Sequence, residues 1–364
     1  MSKIRVAVVF GGRNSEHAVS LMGAGSVLEV IDRDAYEVVP IGIAQDGRWV
    51  LAAPGQSYAI EGTELPEVDT SGAALALPSA TGTVVALEPG EIPRSLGGVD
   101  VVFPVLHGPF GEDGTLQGLL EMAGVPYVGS GVLASAVGMD KAYMKLILKS
   151  AGLPVGPYVV VRDRAWRTDR ARVLKEIDEL GWPVFVKPAR AGSSQGISKA
   201  STPEELEAAV EFAREHDPKV LVEAAVPGRE LECAVLESLG DAAPEASLPG
   251  EVLVQGGQEF FDFEAKYYPG QMALEVPADL PAGTTAELRA MAIRAFEALG
   301  CEGLSRVDFF YTPSGELILN EINTMPGFTS LSVAPQLWAA TGLSYGQLVD
   351  RLIQLALHRP TGLR

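Results

Sequence analysis

The chain has 364 residues, enough for two or three domains, with 47% hydrophobic and 21% charged residues, the ordinary balance of a soluble globular protein. Its net charge of −19 excludes a nucleic-acid partner held through phosphates, which needs a basic surface, and leaves any anionic ligand to locally placed lysines and arginines. No apolar run reaches the ~18 residues of a membrane helix and no signal-peptide apolar region precedes the first strand; with Cys233 and Cys301 lacking ligand spacing and four scattered histidines, this predicts a cytoplasmic chain with free thiols, no membrane contact and no zinc cluster.

Ile4 to Phe10 is apolar apart from Arg5, the pattern of a strand buried on both faces of a parallel sheet. Gly11-Gly12 turns the chain, and Asn14 or Ser15 is placed to cap a helix running to about Ile31. Glu16 lies in its first turn, where a carboxylate complements the helix dipole. Tyr36 to Ile43 is the next strand, and from about Ala52 to Gly98 periodicity fades into short strands and surface insertions. Val101 to Leu106 is again a buried strand, followed by the glycine-rich loop His107 to Gly114 and a helix from Thr115 to about Ala123. Such a loop at the carboxyl end of a strand is where open α/β sheets bind ligands. There His107 either orients a substrate carboxylate or bonds within its own loop, and spacing does not choose between the two.

Gly129-Ser130-Gly131 reads as a joint, after which Asp140 caps a helix with Lys141, Lys145 and Lys149 on one face. A stripe of this kind is ordinarily solvated, so at most one of the three is expected to act. Pro183 to Val186 is a strand that ends at Lys187 and meets a loop of small residues, Ala191 to Gly196. Successive N–H groups in such a loop form an anion nest, and a lysine at its base adds a point charge for phosphate. It is not a Walker A motif, because no GK[ST] opens a helix. Thr202 caps a helix from Pro203 to about Glu215, and Lys219 to Glu223 and Glu230 to Leu236 are strands. Glu223 and Glu230 are candidates for nucleotide base and ribose contacts, or simply strand-end charges. The aromatic, charged stretch 260–268 lies between glycine and proline punctuation and reads as a lid or as a loop packed on the core. Helices are expected within Leu280 to Leu299 and Ser344 to His358.

Ser305 to Ser332 carries the strongest chemical signal. Arg306 to Tyr311 and Glu316 to Asn323 are strand patterns joined by Thr312-Pro313-Ser314-Gly315. A four-residue loop pairs Arg306 with Glu321 and Asp308 with Leu319, and period two places Arg306, Asp308, Glu321 and Asn323 on one face. Two carboxylates and an amide oxygen make a site for a hard cation, Mg²⁺ above all, which completes its octahedron with water and phosphate oxygens. Asp and Asn are poor strand formers, so their presence in apolar strands argues against a plain solvated hairpin. A phosphate lysine, a nest, an acidic face and a lid together point to ATP chemistry in which a carboxylate is phosphorylated and an amine displaces the phosphate, with Arg306 placed to stabilise the oxyanion. A non-catalytic nucleotide sensor and a dinucleotide oxidoreductase are the rival readings; the second lacks its GxGxxG fingerprint.

Six segments, GGRNSEHAVSL (Gly11 to Leu21), LHGPFGEDGTLQG (Leu106 to Gly118), MDK (Met139 to Lys141), VKPARAGSSQGIS (Val186 to Ser198), FDFEAKY (Phe261 to Tyr267) and SRVDFF…NEINTMPGFTSLS, stand in an order that resembles the D-alanine–D-alanine ligases among the ATP-grasp enzymes. The resemblance implies an α/β (α+β) ATP-grasp fold of three domains: an N-terminal open parallel α/β sheet, 1–139, then two mixed or antiparallel α+β lobes enclosing ATP, 140–226 and 227–364. It implies ATP-binding residues Lys141, Lys187, Ser194, Glu223 and Glu230. Metal ligands Asp308, Glu321 and Asn323 are implied for two Mg²⁺ ions bridged by Glu321, with Mn²⁺ as a substitute. Arg306 and the Gly327 amide are implied to stabilise the oxyanion. Glu16, Ser193 and Tyr267 are implied as a triad around the ammonium of the first D-alanine. His107 is implied at the first substrate, Ser332 at the carboxylate of the second, and Lys266 near the phosphates. Lys266-Tyr267 resembles the lid of the dipeptide-forming members, so D-alanine is expected as both amino-acid substrates, within a homodimer. Ala224 and Ala225 depart from the family pattern, where lysine and an aromatic are common, as do Phe261 and Phe263, where tyrosine is frequent.

Overall fold

The computed structural model describes residues 3–60, 62, 64–76, 83–87, 94–254, 272–360 and 362. Among them, three sheets follow one another along the chain. The first is built on β1 (Ile4–Gly11), which pairs in parallel with β2 (Tyr36–Ile43) and β7 (Val101–Pro104). Four further strands, β3 (Trp49–Leu51), β4 (Ala74–Ala76), β5 (Thr83–Leu87) and β6 (Arg94–Gly98), extend it antiparallel beyond β2. The parallel arrangement is thus confined to three strands. From Val6 to Phe10 β1 is apolar because both its faces are covered, while Arg5 ahead of that run pairs with Glu37. Val6, Val8 and Phe10 meet α1 (His17–Val30), while Ala7 and Val9 meet α2 (Thr115–Ala123). Burying one such large side chain stabilises by roughly 1.5–3 kcal/mol.

The second sheet has the order β10-β9-β11-β8: β8 (Tyr158–Arg162), β9 (Val184–Pro188), β10 (Ser198–Ala200) and β11 (Lys219–Ala224), all antiparallel. It is preceded by α3 (Val132–Met139) and α4 (Lys141–Ser150), and backed by α5 (Asp163–Thr168), α6 (Arg170–Asp178) and α7 (Pro203–His216). The α4 cap is as the sequence indicates, with the Asp140 carboxylate accepting from the Ala142 and Tyr143 N–H groups. Thr202 Oγ1 likewise accepts from the Glu205 N–H at the start of α7.

The third sheet joins β12 (Arg229–Leu236), β13 (Glu245–Ala246), β14 (Gly250–Val254), β15 (Met272–Glu275), β16 (Leu304–Tyr311) and β17 (Leu317–Asn323). One of its faces packs on α8 (Ala282–Leu299). The chain ends in α9 (Val333–Thr341) and α10 (Tyr345–His358), the latter opened by a Ser344/Gln347 capping box. These two helices do not stay with the third sheet. Trp338, Leu348 and Ile353 enter the same core as Val6, Val8 and Phe10, so the end of the chain closes over the first sheet.

The hairpin register differs from the one the sequence predicts. The loop is one residue longer, with Tyr311 opposite Leu317 and Phe309 opposite Leu319. Continued unchanged, that register would place Asp308 opposite Asn320 and turn Glu321 to the other face, since a one-residue slip reverses every side chain. A bulge at Asn320 restores the alternation, so Asp308 lies opposite Glu321 and Arg306 opposite Asn323.

Candidate active site

A cleft of about 1170 Å³ collects residues from all three sheets, among them Glu16, His107, Lys141, Lys187, Ser193 and Asp308. Its floor is the bulged hairpin. β12 lies beside β16, and the register places Glu232, Asp308 and Glu321 in one row across three strands. The Arg306 guanidinium grips both Asp308 oxygens, Nε to Oδ1 and Nη2 to Oδ2, each at 2.7 Å. The same Nε lies 2.8 Å from Glu232 Oε2. Burial disfavours the guanidinium, but Asp308 and Glu232 more than offset this and raise its pKa further above the usual range. The Asn323 amide donates to Asp308 Oδ2 at 3.1 Å.

Among the described residues no group of three or more His, Cys, Asp or Glu is arranged to hold a metal ion. The cation face is therefore two carboxylates and one amide on a single side of the hairpin. This oxygen set, short of a full shell, suits a hard divalent ion that takes its remaining ligands from water and phosphate.

Against the floor lies a cluster of the reverse sign. Lys187 Nζ donates to Glu223 Oε2 at 2.8 Å, and Lys145 Nζ is 3.1 Å from Glu223 Oε1. Burial alone would raise the Glu223 pKa, but the two ammoniums override it and bring it down to about 2. The same contacts, against the cost of burial, hold Lys187 above its usual value, while burial prevails over Glu223 at Lys145 and lowers it. Lys141 Nζ donates to the Ala191 carbonyl at 2.9 Å and lies 3.7 Å from Glu321 Oε2. The lysine stripe of α4 is thus not a solvated face: Lys145 is buried and Lys141 largely so, and only Lys149 is exposed. Glu230 stands exposed at the cleft's edge.

The loop between β9 and β10 holds Ser193 and Ser194 at φ of +47° and +57°, a left-handed pair that only strong local constraint maintains in residues with a Cβ. The Ser193 hydroxyl donates to the Glu16 carboxylate. Glu16 is the residue on which α1 opens, and its N–H donates to Asn14 Oδ1 at 2.9 Å, so Asn14 caps the chain just ahead of the helix. Its carboxylate faces the cleft instead of lying along the helix. A Cβ at Gly108 would come 2.2 Å from Glu16 Oε2 and one at Gly192 would come 2.7 Å from it, so a side chain at either position would push the Glu16 carboxylate from its place.

His107 does not bond within its own loop. Its Nδ1 meets the Met325 carbonyl at 3.1 Å, and its Nε2 is buried without a partner. Burial lowers its pKa, with the Glu16 charge opposing. Ser332 sits at the start of α9, its Oγ accepting from the Thr329 N–H at 3.0 Å and lying 3.1 Å from where a Gly327 Cβ would stand. The 260–268 stretch, with Lys266, Tyr267, Phe261 and Phe263, lies outside the described residues.

Two residues of the cleft escape the sequence reading. Glu232 follows Glu230 at strand spacing and so shares its face, a signal that was available. Glu112, in the loop before α2, has its pKa raised to about 8, first by burial and then by Glu16. Nothing in its spacing distinguishes it from Asp113 beside it.

The two halves of the chain match two family models, described as the D-ala D-ala ligase N-terminus over residues 5–130 and the D-ala D-ala ligase C-terminus over residues 147–354. The D-alanine–D-alanine ligase of Paenarthrobacter aurescens is 58% identical, the match covering 99% of this chain and 97% of that one. That of Streptomyces coelicolor is 56% identical over 99% of this chain and 95% of its own. Among solved structures, the VanG D-Ala:D-Ser ligase from Enterococcus faecalis superposes with a TM-score of 0.82 at 37% identity, covering 98% of this chain and all of that one. The D-alanine-D-alanine ligase from Coxiella burnetii gives 0.82 at 34% identity, covering 98% and 94%. With both halves matched and the relatives spanning the chain end to end, the protein belongs to the D-alanine–D-alanine ligase family of ATP-dependent enzymes.

Proposed function

We propose that the protein joins two D-alanine molecules into D-alanyl-D-alanine, converting ATP to ADP and phosphate, as a step in building peptidoglycan precursors. The observation that carries this reading is the cleft itself. It places a buried lysine cluster, an acidic hairpin face and the Glu16–Ser193 contact around one space.

In this reading the first D-alanine's ammonium meets Glu16, with Ser193 and Tyr267 completing the triad and His107 beside its carboxylate. A carboxylate oxygen of that D-alanine attacks the γ-phosphorus, the bond to ADP breaks, and an acyl phosphate forms. The amine of the second D-alanine, its own carboxylate on Ser332, attacks the acyl carbon. The tetrahedral oxyanion is met by Arg306 and the Gly327 amide; phosphate then leaves and the amine loses its proton. Charge-matched donors fixed in advance are what such a step needs. Lys141, Lys187 and Ser194 hold phosphates, with Lys266 close by. Glu223 and Glu230 face the nucleoside.

Asp308, Glu321 and Asn323 would hold Mg²⁺, with Mn²⁺ able to replace it. When bound, the cation neutralises charge on the transferred phosphoryl group. Domains 1–139, 140–226 and 227–364, a homodimeric state and a cytoplasmic location belong to the same reading. Among the described residues no helix is long and apolar enough to cross a membrane.

The Enterococcus neighbour is titled a D-Ala:D-Ser ligase, which makes D-serine the second candidate for the attacking amine. A phosphate-release assay with ATP and Mg²⁺ separates these. D-Alanine alone is expected to release phosphate and yield the dipeptide. Adding D-serine or D-lactate should give no faster release, and L-alanine none. Release that requires D-serine or D-lactate overturns the second-substrate assignment. No release in any arm overturns the ligase reading.

A further inference from the structure

Lys145 is a buried charge of the cleft to which the proposed reaction gives no task. It projects from α4 with its side chain 3% exposed, and its ammonium meets two oxygens. It donates to the Asn320 carbonyl at 2.9 Å and forms an ion pair with Glu223 Oε1 at 3.1 Å. These partners belong to different machinery. Asn320 is the bulge residue, absent from the cross-strand pairing, and its bulge is what sets Glu321 opposite Asp308. Glu223 is the carboxylate that Lys187 holds from its other side.

Among the described strands β17 is an edge, and beyond an isolated bridge to Val155 its outer groups have no strand to bond. The α4 region supplies them around the bulge: Leu319 N–H donates to Pro154 O at 2.8 Å and Ile322 N–H to Met144 Sδ at 3.3 Å. Lys145 is the charged member of this set and the one member that also reaches the lysine cluster.

We propose that Lys145 is a positioning residue that makes the nucleotide end and the cation face of the cleft one unit. It pins the bulge that pairs Glu321 with Asp308. It also keeps Glu223 ionised and fixed when Lys187 turns from Glu223 to a phosphate. The identity of the ligands rests on the ligase reading; the double contact does not.

The test is Lys145→Met, which preserves length and leaves Glu223 its bond to Lys187. Binding of a non-hydrolysable ATP analogue is measured by calorimetry across a Mg²⁺ titration, with the melting temperature recorded alongside. Outer-shell partners of metal ligands typically contribute ten- to a hundredfold, so analogue affinity should fall about tenfold and the Mg²⁺ needed for half-maximal binding should rise about tenfold. A lower melting temperature with unchanged affinity and Mg²⁺ dependence overturns the proposal, because it is what loss of packing alone gives.

The double variant Lys145→Met/Glu223→Gln adds a second check. If Lys145 acts in part through Glu223, the loss of affinity in the double is smaller than the product of the two single losses. A full product removes that part. Wild-type phosphate release with D-alanine tests the ligase reading by itself. Its absence beside tight analogue binding would sink that reading and leave the Lys145 measurement valid.

Discussion

The cleft contains two buried ionic clusters built on opposite plans. On the hairpin, one cation, Arg306, serves two carboxylates, Asp308 and Glu232. Beside it, one carboxylate, Glu223, serves two ammoniums, Lys145 and Lys187. The first is one negative charge in excess and the second one positive. Burying unbalanced charge is costly, and a protein has little reason to do so twice unless a ligand restores the balance. The signs match what the proposed reaction brings: a cation to the hairpin and a polyphosphate to the lysines. A chain with a net charge of −19 can hold such an anion because the positive excess is local and partly desolvated.

The most severe way to break this arrangement is Arg306→Ala. It leaves Asp308 and Glu232 adjacent in the row with no cation between them, and removes the proposed oxyanion partner. Loss of one such donor costs about 10²–10³-fold in turnover, and breaking a buried pair costs ~3–5 kcal/mol of stability. Phosphate release should fall by that factor with binding of the ATP analogue largely kept, and added Mg²⁺ should recover part of the lost melting temperature. Near-normal turnover would remove Arg306 from the chemistry.

Glu223→Gln is the complementary change and a milder one, because an amide oxygen still accepts a bond from one lysine. A cost of about 1–3 kcal/mol is expected for the ammonium left short of a partner. An anion should offset it where a cation does not. Tripolyphosphate is predicted to raise the melting temperature of Glu223→Gln more than that of the wild type, and Mg²⁺ alone to raise neither differentially. Equal increments from tripolyphosphate in both proteins would mean that the lysine pair has no unmet demand for negative charge.

These clusters were legible in unequal measure. Asp308, Glu321 and Asn323 announce themselves by interrupting apolar strands, and period two carries them to one face. Their register was not legible, because a loop one residue longer and a bulge at Asn320 cancel in side-chain direction while moving every pair. Lys145 was hidden by its own pattern: i, i+4 spacing states which residues share a face, not whether β17 will cover it. The caps at Asp140 and Thr202 were read locally because capping is local chemistry. α9 was not read, since Val333, Ala334, Pro335, Leu337 and Trp338 are all buried and leave no amphipathic period to see. Nor does any short-range signal tell that α9 and α10 return to the first sheet, a contact between the two ends of the chain.

The smallest effect is expected where the two excesses meet. Glu112 feels the charges of Glu16, Lys141 and Glu321, and burial with the Glu16 charge raises its pKa to about 8. An unfolded-chain glutamate titrates near about 4.3. Between those values the folded protein keeps a proton that the unfolded chain has released, so stability falls as pH rises through the window. Glu112→Gln carries no such proton. In urea denaturation from pH 5 to 9 without substrates, the wild type should lose stability with rising pH more steeply than Glu112→Gln, and the two curves should diverge most above pH 7. Parallel curves would show Glu112 ionised throughout. The seam between the clusters would then hold a full extra negative charge in the absence of substrate, and the balance of one excess against the other would have to be sought elsewhere in the cleft.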